Sequence, residues 1–294
     1  MTYEEFKDAL VEKVNVRLEG SSIKAELKAV TKTNNVIKQG LVFIESGSNA
    51  SPVIYLDGAY LWYQESNDMN AVVTRAMQLL DERLEIDVNS IVSTWEEAKD
   101  CISIRVLNYE WNKEKLKGIP HKRLLDLAIV PVLTIDLKED GSGTTFVNEY
   151  FLQNWGIDVE TLWGAANDWL ENEEFEYKGI MELLKDMVGE IDESMEAKFR
   201  LYFLGNHTRA YGAVAILRSD ILEKFAEEVG GNFYIIPSSI HELLLLPDRD
   251  IDGKADAEIK EMIESVNEEQ VSCEERLSYN LYYYDKATKK VEIR

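Results

Sequence analysis

Cysteine, histidine, proline and positive charge are all scarce in this chain. Two cysteines in 294 residues, Cys101 and Cys273, provide neither a disulfide framework nor the paired spacing of a zinc site. A reducing compartment fits this usage, so a cytoplasmic protein is expected. Cys101 precedes an apolar strand pattern and reads as a small buried residue. The three histidines, His121, His207 and His241, form no His-Glu-x-x-His pair. No apolar run approaches the roughly 20 residues that span a bilayer. The start, Met1-Thr2-Tyr3-Glu4-Glu5, is acidic and does not read as a signal peptide. Phosphate cradles are missing too. Gly141-Ser142-Gly143 leads into Thr144-Thr145-Phe146, without the lysine or helix start that such a loop uses. No cofactor is expected.

Lys and Arg number 32 against 55 Asp and Glu, a net charge of −23. Such a field repels nucleic acid and anionic membranes. The densest basic stretch, Lys113, Lys115, Lys117, Lys122 and Arg123, is interrupted by Glu114. The charge therefore speaks against direct nucleic-acid or membrane binding and allows a basic protein partner. At 45% hydrophobic and 10% aromatic residues, the chain holds enough apolar surface to fold.

What is present is a run of short periodic segments. Thr2-Tyr3-Glu4-Glu5 is a capping box, and Phe6, Leu10, Val14 and Leu18 continue a helix to about Glu19. Ile23–Thr31 alternates as a half-buried strand. Gly40–Glu45 and Pro52–Leu56 are further strands. Asn67-Asp68 starts a long helix, and Ser90–Ala98 reads as a short one. Cys101–Tyr109 and Leu124–Leu137 are strands, and Pro131 inside the second implies a sheet edge or a bulge. Asp158 caps a helix carrying Leu162, Trp163, Ala166 and Trp169, and Ile180–Val188 is helical again. Phe199–Leu204 and Gly212–Leu217 read as strands joined by Gly205–Tyr211. Ser219 caps a helix that Gly230-Gly231 ends. Phe233–Ile236 and His241–Leu246 are strands, Ala255–Val266 is a helix, and Tyr279–Tyr284 with Lys290–Arg294 forms a closing hairpin. Strands in hairpin-like groups with helices between them predict an α+β fold with mixed, mainly antiparallel sheets. The acidic stretch Glu171–Glu176 is the best linker, dividing residues 1–170 from 171–294. An exposed edge on the C-terminal hairpin would suit a homo-oligomer.

Several segments resemble one known family. Met1-Thr2-Tyr3-Glu4-Glu5-Phe6 opens the match. Phe203-Leu204-Gly205-Asn206 with Tyr211-Gly212-Ala213 continues it, and Tyr234-Ile235-Ile236-Pro237-Ser238-Ser239-Ile240-His241-Glu242 is its most specific piece. Val266-Asn267, Glu275-Arg276-Leu277-Ser278 and Leu281-Tyr282-Tyr283-Tyr284 close it. Together they resemble the uncharacterised DUF5688 family. The resemblance implies a cytoplasmic bacterial protein of the kind a mobile element carries. It implies no activity, cofactor or catalytic residue.

Three local patterns carry chemistry. Ser238, Ser239, His241 and Glu242 place hydroxyls, an imidazole and a carboxylate within a few residues. On a strand, Ser239 and His241 share a face, which would suit a hydrolase-like nucleophile and base, with His207 approaching from the Gly205–Tyr211 turn. No Gly-x-Ser-x-Gly elbow accompanies them, and a Pro-Ser turn closed by local hydrogen bonds is the plainer reading. Asp248, Asp250, Asp252 and Asp256 follow the first half of a calcium loop, but Ile259 stands where the bidentate Glu belongs. A solvated acidic turn capping the next helix is preferred there. Finally, Asp158–Glu196 holds 13 acidic residues against Lys178 and Lys185. Glu171, Glu173, Glu174 and Glu176, interleaved with aromatic residues, read as a docking face for a basic partner. The sharper form of this reading is imitation of a nucleic-acid backbone; the plainer one is solvated helix faces over a Trp-rich core.

Overall fold

The computed structural model describes residues 1–45, 52–84, 93–136, 142–188, 201–237, 239–250 and 256–294. These form two compact units, Met1–Ser93 and Thr94–Arg294.

The first unit opens on helix α1 (Tyr3–Arg17), followed by strands β1 (Ile23–Thr31), β2 (Ile37–Glu45) and β3 (Val53–Tyr55) and helices α2 (Leu56–Ser66) and α3 (Met69–Leu84). The capping box forms as expected. Thr2 Oγ1 accepts from the Glu5 N–H at 3.3 Å, and Glu5 accepts from the Thr2 N–H at 2.8 Å. The four-residue spacing then points Phe6, Leu10 and Val14 into a core with Leu41, Phe43, Val72, Ala76 and Leu80. The three strands pair antiparallel in the order β1-β2-β3. Asn15 acts as a substitute strand at the outer edge of β1. Its amide both accepts from the Ala25 N–H and donates to the Ala25 carbonyl.

The second unit begins with α4 (Trp95–Ala98), β4 (Ile102–Asn108), α5 (Tyr109–Asn112), β5 (Lys122–Leu124), β6 (Leu127–Asp136) and β7 (Ser142–Phe146). Next come α6 (Glu149–Trp155), α7 (Val159–Asn172), β8 (Phe175–Gly179), α8 (Ile180–Val188) and β9 (Tyr202–Asn206). It closes with α9 (Ser219–Val229), β10 (Phe233–Ile236), β11 (Leu243–Pro247), α10 (Asp256–Gln270), β12 (Tyr282–Asp285) and β13 (Lys290–Ile293). Strands β4, β5, β6 and β7 make one antiparallel sheet, with β6 flanked by β4 on one side and by β5 and β7 on the other. A six-stranded antiparallel sheet runs β13-β12-β10-β11-β9-β8. The α+β class with mainly antiparallel sheets is what the sequence predicts.

Strand β10 is buried on both faces, which explains its unbroken apolar run. Phe233 packs with Phe225 of α9 at 4.8 Å and stacks on Tyr284 at 4.9 Å. On the opposite face, Tyr234 and Ile236 pack with Tyr283, Ile259 and Ile263.

Four sequence expectations change. Pro131 lies in an internal strand, not at an edge or bulge, and pairs with Ile104. Its carbonyl accepts from Val147. Its nitrogen points the same way, toward the stretch between the partners of β5 and β7, where no ladder donor is needed. Gly212–Leu217 is a buried 3-10 turn rather than a strand; an apolar run alone cannot separate the two. His241 and Glu242 precede β11 instead of starting it. Arg218, not Ser219, is the N-cap of α9. The Glu171–Glu176 stretch runs from the end of α7 into β8.

Candidate functional site

Three of the segments that carry the family resemblance, 203–213, 234–242 and 275–278, meet in one place. Asn206 ends β9, and its side chain ties the following loop by accepting from the Ala210 N–H and donating to the Ala210 carbonyl at 3.1 Å. The loop ends at Tyr211, held in the left-handed region at φ 58°. Gly212 comes next, and a Cβ there would lie 2.7 Å from both the Asn206 nitrogen and the His241 carbonyl. Only glycine allows this approach of two backbones.

The Ser239–Glu242 turn lies against that loop. The Ser239 hydroxyl is buried, donates to Glu242 Oε1 at 2.7 Å and accepts from the His241 N–H at 3.0 Å. The His241 ring has different partners. Its Nδ1 accepts from the Tyr211 backbone N–H at 3.2 Å, and its Nε2 lies 3.5 Å from Glu275 Oε1. A backbone N–H can only donate, so the proton of the neutral ring sits on Nε2. The structure thus brings Ser239 to Glu242, and His241 to Tyr211 and Glu275. Ser238 lies outside the described residues. His207 faces the acidic stretch, 3.5 Å from Glu174 and 3.6 Å from Glu176.

Behind Tyr211 opens a cleft of about 320 Å³, lined by Asp100, Cys101, Ser103, Arg105, Thr134, Trp169, Glu173 and Asn206 among others. Ser103 and Arg105 are two apart on β4 and so share its face. The Arg105 guanidinium lies 3.7 Å from the Tyr211 ring centre. Among the described residues its buried Nε has no hydrogen-bond partner, and Nη1 donates to the Ile104 carbonyl at 3.4 Å. Burial pushes this guanidinium down to about 10, with Tyr211 and Glu173 acting in the opposite direction; it is still charged at neutral pH. The Ser103 and Thr134 hydroxyls share a hydrogen bond of 2.8 Å. Glu173 accepts from Asn206 Nδ2 at 3.1 Å. Cys101 is half-buried in the wall, and burial, then Asp100, raises its thiol. It is a poor nucleophile there. A wider depression of about 560 Å³ shares Asp100, Ile102 and Trp169 with the cleft.

Sequence reasoning passed over Arg105. The signal was an arginine inside the largely apolar strand Ile102-Ser103-Ile104-Arg105-Val106-Leu107.

The acidic residues divide. Glu174 and Glu176 approach His207, and Glu176 also lies 3.8 Å from Lys178. Glu171 is exposed, while Glu173 turns its carboxylate toward Asn206. In the suggested calcium loop, Asp248 accepts from the Tyr283 hydroxyl at 2.9 Å, and Arg249 Nε lies 3.8 Å from Asp250. Asp252 and the Asp256 side chain lie outside the description. Among the described residues, no group of three or more His, Cys, Asp or Glu is placed to hold a metal. No described helix is long and apolar enough to cross a membrane.

Fold and site together define an α+β protein of antiparallel hairpin sheets with a polar cleft beside its larger sheet. The chain belongs to the family of unknown function DUF5688, whose profile matches residues 3–286. No curated protein and no solved structure matches it.

Proposed function

We propose that the protein acts by binding rather than by covalent catalysis, and that its partner is a basic protein docking where α7 passes into β8. The observation that supports this is how the positive charge is used. Lys7, Lys99, Lys113 and Lys117 each pair with a glutamate three residues away, and Arg218 pairs with Asp220. Basic side chains are thus engaged locally, and the surplus of 23 negative charges faces a partner of opposite sign. Glu171, Glu174 and Glu176 are the docking carboxylates in this reading. Their backbone is held in advance, since Arg218 Nη1 donates to the carbonyls of Leu170 and Glu173 at 3.1 and 3.0 Å. The nucleic-acid-mimic form of the reading would place a basic groove on the partner.

The test is capture from host lysate at low and high salt. Wild type is compared with Glu171→Lys/Glu174→Lys/Glu176→Lys and with a control reversing Glu12, Glu65 and Glu114. A discrete basic protein held at low salt by wild type and the control, released by high salt and lost in the first variant, supports the reading. Equal capture by both variants overturns the docking corner. Capture of no basic protein by wild type overturns the partner.

A further inference from the structure

The cleft behind Tyr211 is unusual in its charges. Arg105 is largely buried, and no carboxylate among the described residues lies within ion-pair distance of it. A guanidinium withdrawn from water without a counter-ion is costly unless hydrogen bonds or an opposite charge offset the loss. Here the offset is the Tyr211 ring and one long bond to a neighbouring carbonyl. Nε is closed off from the cleft, so the outer nitrogens of the planar guanidinium are the ones that suit a carboxylate.

A simple anion fits the cleft poorly. Glu173 and Asp100 also line it, and the molecule as a whole is strongly negative. Glu173 is near enough for Arg105 to feel its charge, yet the two do not pair. A ligand carrying both signs would answer both residues. The Ser103–Thr134 hydroxyl pair and Thr208 offer further hydrogen bonds, while Ile102 and Trp169 give apolar surface. The volume of about 320 Å³ is that of roughly ten water molecules, the scale of a small metabolite.

We propose that this cleft binds a small zwitterion of the α-amino-acid type, its carboxylate on Arg105 and its ammonium toward Glu173. The Tyr211 ring already lies on Arg105, so little ordering remains to be done on binding.

The experiment is isothermal titration of the full chain with each proteinogenic L-amino acid. The best binder is then compared with its decarboxylated amine and its deaminated acid. Both truncated forms are expected to bind at least about tenfold more weakly, since each loses a charge-assisted contact. Arg105→Ala should abolish binding. Because that variant could also unfold, Glu173→Gln provides a second reading. It should erase the advantage of the amino acid over the deaminated acid, with the circular dichroism spectrum unchanged. The proposal is overturned if no amino acid binds the folded wild type, if the deaminated acid binds as tightly as the amino acid, or if folded Arg105→Ala retains binding.

Discussion

Asp126 joins the two sheets of the second unit and gives the sharpest stability prediction. It sits in the two-residue turn between β5 and β6, beside Leu125 at φ 56°. Its carboxylate accepts from Tyr282 OH at 2.6 Å, Ser278 Oγ at 2.6 Å, Asn280 Nδ2 at 3.0 Å and Asn108 Nδ2 at 3.3 Å. Tyr282 and Ser278 are both 0% exposed, so water cannot replace the lost acceptor. Burial, with Asp126 beside it, pushes the Tyr282 phenol well above the usual tyrosine range, so it stays a neutral donor. Bonds to a charged group are worth about 1.5–3 kcal/mol each, and a stranded buried donor costs about 1–3. Asn108 keeps a second acceptor in the Leu277 carbonyl, so its loss counts for little. Asp126→Ala should therefore cost about 3–5 kcal/mol, a large share of the roughly 5–15 that holds a domain. Tyr282→Phe removes donor and need together and should cost about 1–2 kcal/mol. The assay is urea unfolding read by tryptophan fluorescence, since five of the six tryptophans lie in Thr94–Arg294. The double variant should lose less than the sum of the singles. A loss under about 1 kcal/mol for Asp126→Ala, or strict additivity, would refute the reasoning.

Two further predictions concern the loop and its anchor. Gly212→Ala must push apart two backbones and should destabilise by about 1–3 kcal/mol, whereas Gly164→Ala in α7, whose Cβ meets nothing within 4 Å, should stabilise by roughly 0.5–1; thermal melts of the pair check this. Arg218 holds the Asp220 carboxyl below its ordinary value of 3.8. A lowered folded pKa means stability that is full above that ordinary value and lost as pH falls through the folded one. The wild-type advantage over Asp220→Asn should thus be constant near neutrality and vanish in strong acid, as urea midpoints across pH would show.

Much of the frame was legible because local rules sufficed. Thr2 and Glu5 cap α1, and Phe6, Leu10 and Val14 face the core at the expected spacing. Gly230 ends α9 in the left-handed region, as read. What failed depended on distant partners. Pro131 is tolerated inside a sheet only because of where the partners of β5 and β7 leave off. The Gly212–Leu217 run turns because its backbone must pass Asn206 and His241. His241 stood out in sequence for its neighbours Ser239 and Glu242, yet its ring partner Tyr211 lies thirty residues earlier. Arg105 was visible but unread, since an arginine in a strand gains meaning only when no carboxylate comes to meet it.

The outermost strands of the six-stranded sheet, β8 and β13, each carry charge: Glu176 and Lys178 on one, Lys290 and Glu292 on the other. An open strand edge invites another chain to extend the sheet, and charged side chains along it discourage that growth. Glu174 and Glu176 at the β8 end would meet their own copies if two molecules approached edge to edge, and the like charges would repel. Crowding should therefore leave this sheet finite, and replacing those two carboxylates with glutamine should favour edge-to-edge pairing of two copies.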